Sequence, residues 1–266
     1  MWKKLALLAT TTVGLVIFAA FPVAALHIQK PEPPEPPVLP AVPEKSGLYR
    51  EPGHPGILVR VFVHGERPTS TSASALVCNL ADPNSLAVVS AAGWHLPSSW
   101  TYNLNTSSVP ASVGSANLPT IAANGFFDWA VATGNKVSFS RASDTLVTRS
   151  AYDGRNIITW GRTRGSTLGV TYIRYYTSSG LVVDVDTIMN NRVPWSWSNS
   201  STCADTSSYD AENILNHEIG HWPGLDDEYD AAYVDNTQFG YGSKGEVKKV
   251  TLTTGDSNGA FAIYNP

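Results

Sequence analysis

The sequence predicts an α+β protein: a twisted, mostly parallel sheet with one antiparallel edge strand, backed by helices, with one helix lying under a cleft. Three observations lead there. The stretch GILVRVFVHGE, residues 56 to 66, alternates well enough for one strand. Ala211, Ile214, Leu215 and Ile219 recur at helical spacing and give one helix an apolar stripe to bury. The order and length of the remaining elements suit a single mixed domain after a short leader.

Taken from the N-terminus, Lys3 and Lys4 precede an apolar run from Leu5 to about Ala25. This reads as a secretory signal over residues 1–25, with Val23-Ala24-Ala25 as a small-residue cleavage site. An uncleaved membrane anchor is the alternative, because the run is nearly long enough to span a bilayer. Either way the rest of the chain is expected to be secreted, or anchored and facing outside. Residues 26–47 form a Pro-rich linker whose core, PEPPEPPVLPAVPEK, is expected to be an extended polyproline spacer. Residues 48–92 form an N-terminal leader or pro-segment that holds the alternating strand, and residues 93–266 form the main domain. Two cysteines in an exported chain usually pair, so a Cys78–Cys203 disulfide is expected to tie the leader to the main domain.

Composition narrows the partners. Charged residues make up 15% of the 266, against 21 Gly, 18 Pro and eight Trp, which suits a loop-rich secreted domain. With a net charge of −4 and no basic run beyond Lys248-Lys249, a nucleic-acid partner is excluded. The expected state is a monomer.

Residues 217 to 227 read HEIGHWPGLDD. His217 and His221 are four apart, so on a helix they project from one face, one turn above the other. That spacing lets two imidazoles bind one Zn²⁺, with Glu218 beside them as general base on a water that the metal activates. Ser207 or Ser208 is the expected N-cap, with Asp210 and Glu212 in the first turn. Gly224 can end the helix in a left-handed turn, which returns Asp227 towards the metal as third ligand. Two His and one carboxylate leave a fourth position open, the catalytic rather than the structural arrangement of zinc. The plainer reading is a surface helix with solvated His and Glu, and the apolar stripe and the Gly-x-x-Asp extension count against it. Asp226 and Glu228 read more simply as a solvated acidic loop than as calcium ligands.

With Gly224 and Asp227 included, the motif resembles the H-E-x-x-H-x-x-G-x-x-(H/D) signature of the metzincin zinc endopeptidases. The flanking sequence is similar to secreted bacterial matrixin-type proteases, and Asp as third ligand is similar to the snapalysin-like members. The resemblance covers roughly Gly93 to Pro266 and implies an order of elements. A strand near Trp100–Asn105 comes first, then a helix through Ile121, Phe126 and Trp129, then a strand at 137–140. GSTLGVTY, residues 165 to 172, resembles the family's edge strand, and LVVDVDTIMNN, residues 181 to 191, the strand after it. TLTTGDSNGAFAIYNP, residues 251 to 266, resembles the closing helix with its Thr/Ser-x-x-Asp cap. NTQFGYG, residues 236 to 242, resembles the turn beneath the zinc, with Gln238 where the family carries Met. A polar amide there weakens the apolar floor unless it is bonded.

The resemblance implies a zincin-like fold and hydrolysis of peptide or protein substrates, with Glu218 as general base. The edge strand near Leu168–Tyr172 would pair an extended substrate by strand addition. Tyr229 and Tyr241 are candidate donors to a transition-state oxyanion, Tyr241 the better placed, although packing is the plainer role for each. Matrixins often use a propeptide Cys as a latency switch, but LVCNLADPN around Cys78 lacks the surrounding pattern. His27, His54, His64 and His95 read as scattered outside the core, which removes the family's structural zinc. Calcium at Asp184 or Asp186 is a candidate, against strand acids that face solvent or cap a helix. Two other readings stand beside the endopeptidase. One is a catalytically weak or inactive zinc-binding surface module, favoured by Gln238 and Asp227. The other is a zinc amidase acting on cell-wall peptides.

Overall fold

The strands in chain order are β1 (Gly47–Arg50), β2 (Ile57–Glu66), β3 (Ser99–Leu104), β4 (Ser138–Arg141), β5 (Ile157–Gly161), β6 (Thr167–Tyr176), β7 (Val182–Asn190), β8 (Trp195–Ser196), β9 (Tyr209–Asp210) and β10 (Tyr241–Gly242). The α-helices are α1 (Leu118–Ala132), α2 (Ala211–His221) and α3 (Thr254–Tyr264). This computed structural model describes residues 35–41, 43, 45–68, 85–199 and 205–266. The signal expected over 1–25 and the expected Cys78–Cys203 pairing lie outside the described residues. No helix among the described residues is long and apolar enough to cross a membrane.

The fold is mixed α/β, in keeping with the α+β expectation. An eight-stranded sheet runs β1-β2-β6-β7-β5-β3-β4, with β10 beside the end of β2. β4, β3, β5 and β7 are mutually parallel. β6 runs against β7, β2 against β6, and β1 against β2. The antiparallel strand expected at the edge is therefore interior. β2, from the leader, pairs with it from Ile57 opposite Tyr176 to Gly65 opposite Thr167. The reason lies in β2 itself, whose two faces are both apolar enough for the middle of a sheet. Its pairing satisfies the row of amide groups that an edge would leave open. The leader is thus part of the same body as the helices, within one compact unit of Pro36–Pro266. The Pro-rich stretch is not a free spacer where it is described: Leu39 N and Arg50 O bond at 3.0 Å, and Arg50 N and Pro37 O at 2.8 Å.

The sheet buries both faces. On one, Phe62, Ile173, Val185 and Met189 meet Trp129, Ile214, Leu215, Ile219 and Trp222 of the helical layer. On the other, Tyr49, Val59, Val61, Ile157, Val170, Tyr172 and Ile188 form a smaller cluster. This second face also carries a buried ion network. Arg174 donates to Asp184 Oδ1 at 2.7 Å, Asp186 Oδ2 at 3.0 Å and Glu51 Oε2 at 2.8 Å. Asp184 and Asp186 are therefore neither solvent-facing strand acids nor helix caps, and their oxygens are already taken by Arg174 and the Gly154 and Ala151 amides. That leaves no donor set for the calcium considered at these positions.

Helix α2 starts where Asp210 accepts from the amides of Glu212 and Asn213, so the N-cap is Asp210 rather than Ser207 or Ser208. The carboxylate caps two of the orphan amides that a helix start leaves open. Close approach to α1 requires two glycines. A Cβ on Gly125 would lie 2.9 Å from Ile219 Cδ1, and one on Gly220 would lie 2.5 Å from the Trp129 ring. Trp129 is fully buried and donates to Asn216 O at 3.0 Å, fixing the two helices in register. Helix α3 carries the expected cap, a reciprocal Thr253–Asp256 box. Asp256 also accepts from the Thr237 and Gln238 amides, which anchors the turn under α2.

Candidate metal centre

Helix α2 ends at His221, and Gly224 adopts φ +122, where a Cβ would sit 2.5 Å from Trp94 O. Only glycine fits that reversal, which returns Asp227 to the histidines as the motif spacing predicts. His217 Nδ1 lies 2.8 Å from Thr237 O, and His221 Nδ1 lies 2.9 Å from Leu225 O. Each backbone carbonyl accepts a hydrogen bond from Nδ1–H, which fixes the proton there and leaves Nε2 as the lone-pair nitrogen. The two Nε2 atoms lie 3.2 and 3.5 Å from Asp227 Oδ1. Tyr229 donates to the other Asp227 oxygen at 3.0 Å.

His217 Nε2, His221 Nε2 and Asp227 Oδ1 are buried without a hydrogen-bond partner. Three lone-pair atoms facing one another in a dry interior repel unless a cation sits among them. Tetrahedral zinc with bonds of about 2.0–2.1 Å sets its ligand atoms about 3.3 Å apart, which matches the two Nε2–Oδ1 separations. The donor set therefore fits zinc. Burial, reinforced by the nearby Lys249 charge, holds His217 well below the usual imidazole range. Burial lowers His221 as well and raises Asp227. At neutral pH both rings then keep the lone pair that a ligand needs.

Glu218 lies on the β6 side of α2. Its Oε2 accepts from Thr171 at 2.5 Å, and Thr187 lies 2.8 Å behind Thr171 with Trp222 Nε1 3.1 Å behind that. Oε1 has no hydrogen-bond partner. Burial pushes the carboxyl up to about 8, the Thr171 bond pulling it back. The carboxylate is pinned beneath Gly169, where a Cβ would stand 2.4 Å from Oε1.

The turn residues differ from expectation in detail. Gln238 is fully buried and its amide donates to His217 O at 2.8 Å, so the polar floor is half satisfied. Gln238 Oε1 has no partner. Tyr241 packs edge-on against Tyr229 at 5.1 Å, and Tyr229 rather than Tyr241 touches Asp227. Asp226 pairs with Arg60 at 3.0 Å and Glu228 accepts from the Ser90 amide at 2.9 Å, so the flanking acids brace the loop.

Two features were not foreseen. His64, expected outside the core, is fully buried, its ring 3.9 Å from that of His217 and its Nδ1 3.4 Å from Glu218 Oε1. Its alternating strand was legible in the sequence, but nothing there says which strand it pairs with. The other is Lys249, fully buried and donating to Tyr241 O at 2.9 Å and to Phe239 O. Burial lowers its ammonium to about 8. The expected cleft is filled: His217, Glu218 and His221 are all covered, with β2 directly over them. Set beside known proteins, the sequence matches no protein-family model and no curated protein.

Proposed function

We propose that this protein is an exported zinc-dependent endopeptidase of the metzincin, matrixin-like kind. The observation that carries the reading is the convergence of His217 Nε2, His221 Nε2 and Asp227 Oδ1, all orphaned, beside the orphaned Oε1 of Glu218. Zinc held by the first three supplies Lewis-acid polarisation of a peptide carbonyl and acidifies water at neutral pH. A cation held there would favour the ionised form of Glu218, whose Oε1 then takes the proton of the attacking water and delivers it to the leaving amine. Thr171 holds Oε2, which leaves only one carboxylate oxygen to move the proton. Thr237 and Leu225 carbonyls orient the two rings, and Tyr229 holds Asp227 so that Oδ1 faces them. The Lys3-Lys4 and apolar N-terminus supports export.

A second reading, a zinc-binding module without peptidase activity, is favoured by the complete burial of Glu218 and both histidines. The test is zinc content together with hydrolysis of a quenched fluorogenic peptide library. The chain assayed carries a site for a sequence-specific protease between Ser72 and Ala73 and has been cut there, with Glu218→Ala treated likewise. About one zinc per chain, and cleavage lost in Glu218→Ala, is expected. Zinc without cleavage by the cut chain favours the second reading, and absence of zinc overturns both.

A further inference from the structure

We propose that β2 is a built-in occupant of the peptide-binding strand position, and that its His64 closes the metal centre, so the intact chain is held latent. The inference rests on the metal-centre reading above. Three consecutive same-face residues of β2 meet the centre in turn. Arg60 Nη2 bonds Asp226 Oδ1, beside the ligand Asp227, at 3.0 Å. The Phe62 ring stacks flat on the ligand His221, 3.7 Å between centroids and 1° between planes. The His64 ring lies tilted against that of the ligand His217, 3.9 Å between centroids, and reaches the base Glu218.

The backbone repeats the pattern of strand addition. β2 lies antiparallel to β6 along its whole length, and His64 stands opposite Gly169, the residue above Glu218. An extended peptide would use those same β6 amides and carbonyls, so peptide and β2 exclude one another. Being tethered, β2 is present at an effective concentration on the order of mM, which a dilute substrate does not match. Val59 and Val61 hold it further by burying the opposite face in the second apolar cluster.

His64 does more than fill space. Its ring nitrogens are buried without a well-formed hydrogen bond, one of them facing the Tyr241 backbone, and Glu218 Oε1 has no partner either. A ring nitrogen of His64 falls within 4.8 Å of donor atoms on His217 and Glu218, which makes it a candidate metal ligand on the side that the base faces. Set between His217 and Glu218, the His64 ring fills the side from which the centre would be reached. It also removes the place of the water that Glu218 would deprotonate. The orphaned nitrogens of His64 then have a purpose.

The test loads the intact chain with Co²⁺ and follows its visible absorption on titration with acetohydroxamate, a small bidentate probe for an open metal position. The intact chain is expected to bind about one Co²⁺ and to ignore the probe at millimolar concentration. His64→Ala is expected to keep the metal and bind the probe at least tenfold more tightly, with a changed spectrum. His64→Gln, nearer in size, stands in if the alanine variant does not fold. An intact chain that takes the probe as tightly as either variant overturns the inference while the metal centre stands. An intact chain that takes up no Co²⁺ overturns the metal-centre reading, and this inference falls with it.

Discussion

Gly169→Ala probes how tightly the fold pins Glu218. The added Cβ would stand 2.4 Å from Oε1, 2.9 Å from Cδ and 3.1 Å from Cγ of Glu218. Comfortable contact between such atoms is about 3.5 Å, so the carboxylate must retreat by roughly 1 Å. It is not free to do so, because Oε2 is held by Thr171 at 2.5 Å and the side chain is fully buried. Overpacking a tight site costs about 1–3 kcal/mol, and a lost hydrogen bond to a carboxyl that keeps its proton about 0.5–1.5 kcal/mol. Since one movement relieves part of the other, the expected net destabilisation is about 2–3 kcal/mol. In a Glu218→Ala background the clash has no partner, and the same substitution should cost no more than about 0.5 kcal/mol. Urea unfolding of the four chains, all with metal chelated, measures the coupling. Equal costs in the two backgrounds would refute the placement of Glu218 beneath Gly169.

Other substitutions test the neighbourhood. Gln238→Met exchanges one bond to His217 O and one orphaned oxygen for an apolar side chain. Thermal unfolding should therefore shift by no more than about 1 kcal/mol, with zinc content unchanged; loss of zinc would show that the amide positions His217. Arg174→Met strands Asp184, Asp186 and Glu51 without their cation and should cost about 3–5 kcal/mol by urea unfolding at pH 7. A cost below about 1 kcal/mol would contradict the network. Burial, and then the charge of Glu212, raises the Asp128 carboxyl from 3.8 to about 6. A raised carboxyl keeps its proton in the folded chain after the unfolded chain has ionised. The contribution of Asp128 to stability is thus full below pH 3.8 and is lost as pH rises to about 6. Asp128→Asn should abolish that loss and gain about 1 kcal/mol at pH 7, after discounting for the solvent that reaches the group. A parallel pH profile in the variant would show that Asp128 does not titrate this way.

Much of the site was legible because it is local in sequence. His217, Glu218, His221, Gly224 and Asp227 lie within one helix and its reversal, where spacing translates directly into geometry. The closing cap was legible for the same reason, as Thr253 and Asp256 are three apart. What escaped the sequence depends on pairing across long separations. Alternation marks β2 as a strand but does not name β6 as its partner, so His64 stayed outside the site and the edge stayed open. The short strand β5, IITWG, gives a brief apolar run that periodicity alone does not separate from other structure. Asp184 and Asp186 pointed outwards by composition, until Arg174 on the neighbouring strand supplied the charge that lets them be buried. The N-cap moved from serine to Asp210 because Ser207 and Ser208 sit two and one residues before the short β8–β9 pairing that sets the helix start.

The most direct test of the account is zinc binding by the intact chain and by Asp227→Ala, read by metal analysis after dialysis against competing chelator of graded strength. Asp227 is brought back to His217 and His221 only by the Gly224 reversal, so it reports on the assembled centre rather than on the helix alone. About one zinc per intact chain, held at least tenfold more weakly by Asp227→Ala, is the predicted result. Equal zinc affinity in the two chains, or no zinc in the intact one, would contradict the centre described.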